Sequence, residues 1–146
     1  MRHCLPFLLF LVVPAAAQEI KLPPPADSSV DFVRDIEPLL KKRCQGCHGV
    51  QQQMSGLRLD LPEAAAKGGY SGPVIVSGKS AESKLIRMVA GAEKGVVMPP
   101  AGPRLSDKEV GLLRAWIDQG AKWPVPDAPV KTAQAGSKPD LWSLQP

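Results

Sequence analysis

The feature that most restricts what this chain can fold into is a pair of cysteines followed at once by a histidine. Cys44, Cys47 and His48 lie in the stretch RCQGCHG. Three kinds of site use such a group: a zinc site, a dithiol that exchanges disulfides, and a covalently bound haem. Each of them makes a different demand on the rest of the sequence.

The N-terminus has the pattern of a cleavable secretory signal. A basic start at Arg2 is followed by an apolar run from Leu5 to Val13 and by three alanines at residues 15–17. The run is too short for a transmembrane helix, which needs roughly 20 apolar residues. We therefore predict a signal peptide over residues 1–17 and no stable membrane anchor after its cleavage. The mature chain would then lie in the periplasm or an equivalent extracytoplasmic compartment.

Loss of this signal decides which chemistry the cysteine motif can support. Cys4 and His3 leave with the signal, so the exported chain keeps Cys44, Cys47 and His48. A structural zinc site needs four ligands, and these are only three. A dithiol exchanger carries its cysteines at a helix N-terminus, whereas this pair follows a predicted helix. The pattern C-x-x-C-H is the attachment signature of haem c, with both cysteines bound to the porphyrin and the histidine as an axial ligand of the iron.

The remaining sequence predicts one all-α domain with a flexible segment on each side. Residues 18–29 form a Pro-rich leader, and residues 125–146 are predicted to be a disordered tail or linker. Residues 30–124 carry the spacing of four short helices with one apolar face each. These helices are predicted to begin at Asp35, at Asp60 with Glu63 in a capping box, at Ser80, and at Ser106 with Glu109 in a second capping box.

This domain has few large side chains from which to build a core. Residues 30–124 contain one tyrosine, one phenylalanine and two tryptophans. Short helices are marginal without tertiary burial. A haem is large, flat and apolar, and it would supply the missing core if all four helices packed around it. Composition and motif therefore agree on one bound haem.

The second axial position of the iron has three candidate sulfur ligands, Met54, Met88 and Met98. Met54 follows His48 by only six residues, and Met88 lies on a predicted helix, where a methionine ordinarily fills the core. Met98 lies in the Pro-stiffened loop VVMPP, 50 residues after His48, where the chain has room to pass around the haem. We predict Met98 as the ligand. Met54, Met88 and an open position remain the alternatives.

Several stretches together resemble one protein family. RCQGCHG, GLRLDLPEAAAKGG, SGKSAESKLIRMV and VVMPPAGPRLSDKEVGLLRAWIDQGAKWP are similar to the planctomycete-type cytochrome c domain over roughly residues 30–124. The resemblance implies the monohaem cytochrome c fold, with haem c on Cys44 and Cys47 and with His48 and Met98 as axial ligands. It also implies that the first and last helices cross near the haem edge, with Trp116 buried there.

The expected function is the transfer of single electrons through the covalent haem. Such a protein is an electron carrier without a substrate, so we do not expect an enzyme. One alternative is a haem module of a larger exported oxidoreductase, because in this family the domain usually precedes further domains. The other alternative is a five-coordinate haem that binds a gas or peroxide.

The charged residues give weaker indications about partners. The basic run Lys41, Lys42 and Arg43 precedes the motif and could attract a redox protein with an acidic surface, although a solvated helix face is the ordinary explanation. Arg58 is a candidate partner of a haem propionate, with a solvated or acid-paired arginine as the alternative. The net charge of +4, or +3 without Arg2, is mild and lacks interleaved aromatic residues. We therefore expect no nucleic-acid binding.

Overall fold

The structure, a computed structural model, describes residues 21–124, so the predicted signal and tail lie outside the described residues. In this part the chain is helical, without β-strands, which is consistent with the predicted all-α class. None of the helices described here has the length and apolar character of a membrane span. The α-helices are α1 (Glu37–Arg43), α2 (Pro62–Lys67), α3 (Lys84–Val89) and α4 (Asp107–Asp118); a π-helical turn covers Phe32–Ile36, and 3₁₀ turns cover Met54–Gly56 and Ser80–Glu82.

The first helical segment begins earlier than predicted. Its cap is Asp31, whose carboxylate accepts a hydrogen bond from the Arg34 backbone N–H at 2.7 Å. Asp35, the predicted cap, lies inside the π-helical turn, and its carboxylate accepts from the Asp31 backbone N–H at 2.9 Å. The first N–H groups of a helix need acceptors from outside the helix. Asp31 provides one such acceptor for the Arg34 N–H, so the turn starts directly after this aspartate.

The capping box predicted at the start of α2 does not form. The residue before the helix is Leu61, which makes no side-chain hydrogen bond to it. Asp60 is instead bound to Arg58 by two hydrogen bonds of 3.0 and 2.5 Å. A carboxylate bound by an arginine fork interacts more strongly than one bound to a backbone N–H. The α2 helix therefore starts without a side-chain cap, and Pro62 stands in its first turn.

The α3 helix starts later than predicted, because Ser80 serves a tertiary contact. The Ser80 hydroxyl donates to the Asp118 carboxylate at 2.8 Å, and the Ser80 backbone N–H donates to the other carboxylate oxygen at 2.7 Å. Ser80 thus opens a 3₁₀ turn that is bound to the end of α4, and α3 begins at Lys84. A side chain used in this contact cannot cap the following helix.

The capping box predicted at the start of α4 is present. The Ser106 hydroxyl accepts from the Glu109 backbone N–H at 3.3 Å, and the Glu109 carboxylate accepts from the Ser106 backbone N–H at 2.7 Å. The predicted apolar face of α4 is buried, since its residues are at most 2% exposed: Val110, Leu113, Trp116 and Ile117. The longest helix therefore forms the centre of the core.

The described part of the Pro-rich leader, residues 21–29, makes backbone contact with α4. The Ala26 N–H donates to the Gly111 carbonyl at 3.0 Å. Glycine permits this approach, because a Cβ on Gly111 would lie 2.8 Å from the Pro24 carbonyl oxygen. A flexible leader was expected from composition. The hydrogen bond to Gly111 of α4 gives this segment a specific position, and composition alone does not predict such a contact.

Three aromatic residues pack together beside α4. The Phe32 ring lies 5.7 Å from the Trp116 ring and 4.5 Å from the Trp123 ring, measured between centroids. Trp116 is 2% exposed, and its Nε1 donates to the Lys122 carbonyl at 2.9 Å. Trp116 is thus buried at the contact between α4 and the turn that precedes α1.

Candidate functional site

The cysteine motif lies on a turn that continues directly from α1. The backbone N–H groups of Cys47 and His48 both donate to the Cys44 carbonyl, at 3.1 and 2.9 Å. His48 forms an isolated antiparallel bridge with Gln53, and its carbonyl accepts from the Leu59 N–H at 2.8 Å. The motif backbone is therefore hydrogen-bonded both to itself and to the loop that follows it.

Gly49, the last residue of the stretch RCQGCHG, lies where two backbone segments approach each other closely. A Cβ on Gly49 would lie 2.4 Å from the Gln45 carbonyl oxygen, whereas a Cβ on Gly46 would meet no atom within 4 Å. Relief of the first clash needs movement of the backbone turn, not only of a side chain. The two glycines of the motif thus have different structural roles.

We expect Gly49→Ala to lower the free energy of unfolding by about 1–3 kcal/mol, the usual cost of adding atoms to a tightly packed position. Gly46→Ala is the matched control, because it makes the same change in open space, and its effect should stay within about 0.5 kcal/mol. Denaturant unfolding of the two variants measures the difference. Equal stabilities would contradict the close contact between Gly49 and Gln45.

The motif faces an apolar cleft with about 810 Å³ of empty space, part of it open to solvent. Cys44, Cys47 and His48 line the cleft together with residues of α3 and of three loops, at 55–59, 69–74 and 98–105. Its apolar lining includes Leu57, Leu59, Val74, Leu85, Val89 and Leu105. Leu57, Leu59 and Leu105 lie in loops, where no helical spacing indicates a buried residue.

The sequence predicts that all four helices pack around the haem. The cleft is instead lined mainly by loops. The α3 helix contributes three residues, and α1 contributes only its last residue, Arg43. Neither α2 nor α4 contributes a lining residue, and Trp116 of α4 also lies outside the lining. The short helices position the loops, and the loops form the walls.

The environment of Cys44 disfavours disulfide exchange. Cys44 is 9% exposed, and burial raises the pKa of its thiol to about 11, against the opposing effect of Arg43. The group is therefore a protonated thiol at neutral pH. A dithiol exchanger needs the opposite, a thiol pKa lowered below its ordinary value.

The residues of the cleft fit a covalently bound haem. The Nδ1 atom of His48 is buried without a hydrogen-bond partner in the part of the chain that the structure describes. A buried polar atom without a hydrogen-bond partner lowers the stability of a fold by about 1–3 kcal/mol. The state of His48 therefore indicates a partner that is not protein. Two free thiols and an imidazole on the wall of an apolar cleft are the donors that haem c uses.

Two of the three candidate methionines line the cleft. Met54 is 52% exposed and lies outside the cleft lining. Met88 and Met98 both line the cleft, and the Met98 backbone N–H donates to the Met88 carbonyl at 3.1 Å. The loop that carries Met98 is therefore attached to α3 beside Met88. The ligand role of Met98 stays a prediction, with Met54, Met88 and an open position as the alternatives.

Arg58 is bound to an acidic neighbour and lies outside the cleft lining. Its two hydrogen bonds to Asp60 raise the pKa of the guanidinium and lower the pKa of the carboxyl. This arrangement is the acid-paired alternative to a propionate contact. The role of Arg58 toward a haem propionate stays a prediction.

The basic run before the motif is divided by the fold. Lys41 and Lys42 are exposed, and Lys41 pairs with Glu37 at 2.9 Å. The Arg43 side chain is only 17% exposed, lines the cleft and pairs with Glu109 at 3.0 Å. Sequence reasoning missed this pair, because its members are 66 residues apart and no local pattern connects them.

The comparisons with known proteins agree with the chemistry of the cleft. The chain matches the family described as planctomycete cytochrome C over residues 44–102, a stretch that includes Cys44, Cys47, His48 and Met98. No match to a curated protein or to a solved structure was found. The matched stretch is shorter than the domain predicted over residues 30–124, whose boundaries stay a prediction. A cytochrome c family implies haem binding and haem-based electron transfer, and residues 44–102 of this chain match the model of the planctomycete cytochrome C family.

Proposed function

We propose that this chain is an exported c-type cytochrome that carries single electrons on one covalently bound haem, with His48 and Met98 as axial ligands. The observation that carries the proposal is that Cys44, Cys47, His48 and Met98 line one apolar cleft. Met98 reaches this cleft from a loop far along the chain, so the meeting of these four side chains is a property of the fold.

Each of these residues has its own task in the proposal. Cys44 and Cys47 hold the porphyrin through thioether bonds, while His48 offers an imidazole nitrogen and Met98 a thioether sulfur to the iron. A bound haem supplies a metal centre that gains and loses one electron. The apolar lining of the cleft excludes water, and this exclusion together with a methionine ligand favours the reduced state.

Export and the partner belong to the same proposal. Export rests on the signal predicted over residues 1–17. The partner we propose is a redox protein with an acidic surface, because Lys41 and Lys42 are exposed on the helix that ends at the motif. Arg43 does not belong to this docking charge, since Glu109 holds it against the cleft.

The test is to produce the chain with its own signal in a host that attaches haem to exported proteins. Absorption spectra are then recorded in both redox states, and the protein is extracted with acidified organic solvent. We expect one haem per chain, and we expect it to stay with the polypeptide, because thioether bonds survive this treatment while ligation alone does not. Extractable haem, or zinc in place of haem, would contradict the proposal.

A further inference from the structure

Within residues 21–124, Arg43 is the only arginine, lysine, aspartate or glutamate among the residues that line the cleft. Its side chain is 17% exposed, and the rest of the lining is mainly apolar. A charge in such surroundings is poorly screened by water, so it acts strongly on any other charge in the cleft. Neither proposed axial ligation nor haem attachment uses this guanidinium.

Glu109 binds the guanidinium of Arg43 through three hydrogen bonds. The Arg43 Nε lies 3.1 Å from Glu109 Oε1, and Nη2 lies 3.0 Å and 3.3 Å from the two carboxylate oxygens. Glu109 does not line the cleft. Within residues 21–124, the Nη1 atom of Arg43 makes no hydrogen bond. Of the two members of the pair, therefore, only the positively charged residue belongs to the cleft lining.

The carboxylate of Glu109 is itself anchored. It accepts hydrogen bonds from the Ser106 backbone N–H at 2.7 Å and from the Ser106 hydroxyl at 3.0 Å. The backbone hydrogen bond from Ser106, and after it the hydrogen bond from Arg43, lower the pKa of Glu109 against the effect of its partial burial. The Glu109 carboxyl is therefore charged at neutral pH, and the capping box of α4 determines where this carboxylate lies.

We infer that Arg43 stabilises the reduced state of the redox group bound in the cleft, and that Glu109 is a positioning residue for this charge. The inference rests on the proposed function. Reduction adds one electron and makes the bound group more negative by one unit of charge. A fixed positive charge on the cleft wall favours that state, and the more distant negative charge of Glu109 opposes it in part. Removal of the two charges should therefore have opposite effects on the midpoint potential.

The experiment is an equilibrium redox titration of haem-loaded Arg43→Gln and Glu109→Gln. At a fixed solution potential, we expect the ratio of reduced to oxidised protein to fall by roughly threefold to tenfold in Arg43→Gln, the effect of one nearby and poorly screened charge. The ratio should rise by a smaller factor in Glu109→Gln. Arg43→Lys keeps the charge and should retain most of the wild-type ratio. Arg34→Gln is the matched control, since it removes an equally paired arginine outside the cleft lining, and its ratio should not change.

A purely structural role of the pair predicts a different pattern. Each glutamine variant breaks the same ion pair, so both should lower the thermal unfolding midpoint. Only an effect of charge shifts the midpoint potentials of the two variants in opposite directions. Shifts of the same sign, or no shift in either haem-loaded variant, would overturn the inference. If Arg43→Gln does not accumulate with haem, Glu109→Gln alone is the test. A ratio of reduced to oxidised protein that falls or stays unchanged in Glu109→Gln also overturns the inference. A wild-type chain without haem would instead contradict the proposed function.

Discussion

Replacement of both Cys44 and Cys47 by serine should reduce the haem that survives acidic organic extraction to background. The reason is chemical: a thiol sulfur adds to a porphyrin vinyl group, and a serine hydroxyl of nearly the same size does not. Both cysteines are free thiols and line the cleft, so each is placed to react. Absorbance of the polypeptide fraction after extraction, compared with protein mass, measures the loss.

Two further variants separate lost attachment from lost folding. Cys4→Ser changes the remaining cysteine of the chain, which lies in the predicted signal, and should leave the attached haem unchanged. Cys47→Ser changes only the less buried cysteine of the pair and should leave haem held by one thioether bond. Full retention of extraction-resistant haem in the double variant would exclude these cysteines as the attachment sites.

Met98→Ala should abolish the weak near-infrared absorption band that methionine ligation gives to the oxidised protein, and it should let carbon monoxide bind readily to the reduced protein. Alanine has no sulfur to offer, and no other group in the loop around residue 98 is a typical haem ligand. The Met98 backbone is hydrogen-bonded to α3, so the loop has a fixed position from which its side chain acts. Near-infrared spectra and carbon monoxide titrations measure the two effects.

The other methionines provide matched controls for this substitution. Met54→Ala removes an exposed sulfur outside the cleft and should change neither measurement. Met88→Ala removes the second methionine of the cleft; it should keep the band and lower stability by about 1–2 kcal/mol, as truncation of a half-buried side chain does. A band that persists in Met98→Ala and disappears in Met88→Ala would transfer the ligand role to Met88.

The sequence by itself determined those features that depend on residues close together in the chain. The C-x-x-C-H motif needs only five consecutive residues, and the capping box of Ser106 and Glu109 needs four. The apolar face of α4 follows from helical spacing within one element. Such features could be predicted because the groups that interact are brought together by local backbone geometry.

Two other predictions of helix starts were wrong, because the side chain expected there binds another partner. Asp60 has the spacing of a capping box but binds Arg58. Ser80 stands where a helix should start but binds Asp118, 38 residues away. A capping pattern indicates which hydrogen bonds a side chain can make to the nearby backbone. A charged or distant partner can bind the same side chain instead.

Only the tertiary structure decided which distant residues meet at the cleft. It brought Met88 and Met98 to the motif and left Met54 outside, although all three share the same chemistry. It also paired Arg43 with Glu109, and so turned one member of a basic run into a charge on the cleft wall. The physical reason is that these contacts depend on how loops of irregular backbone close around a common apolar space, and irregular loops carry no periodic pattern from which their meeting could be predicted.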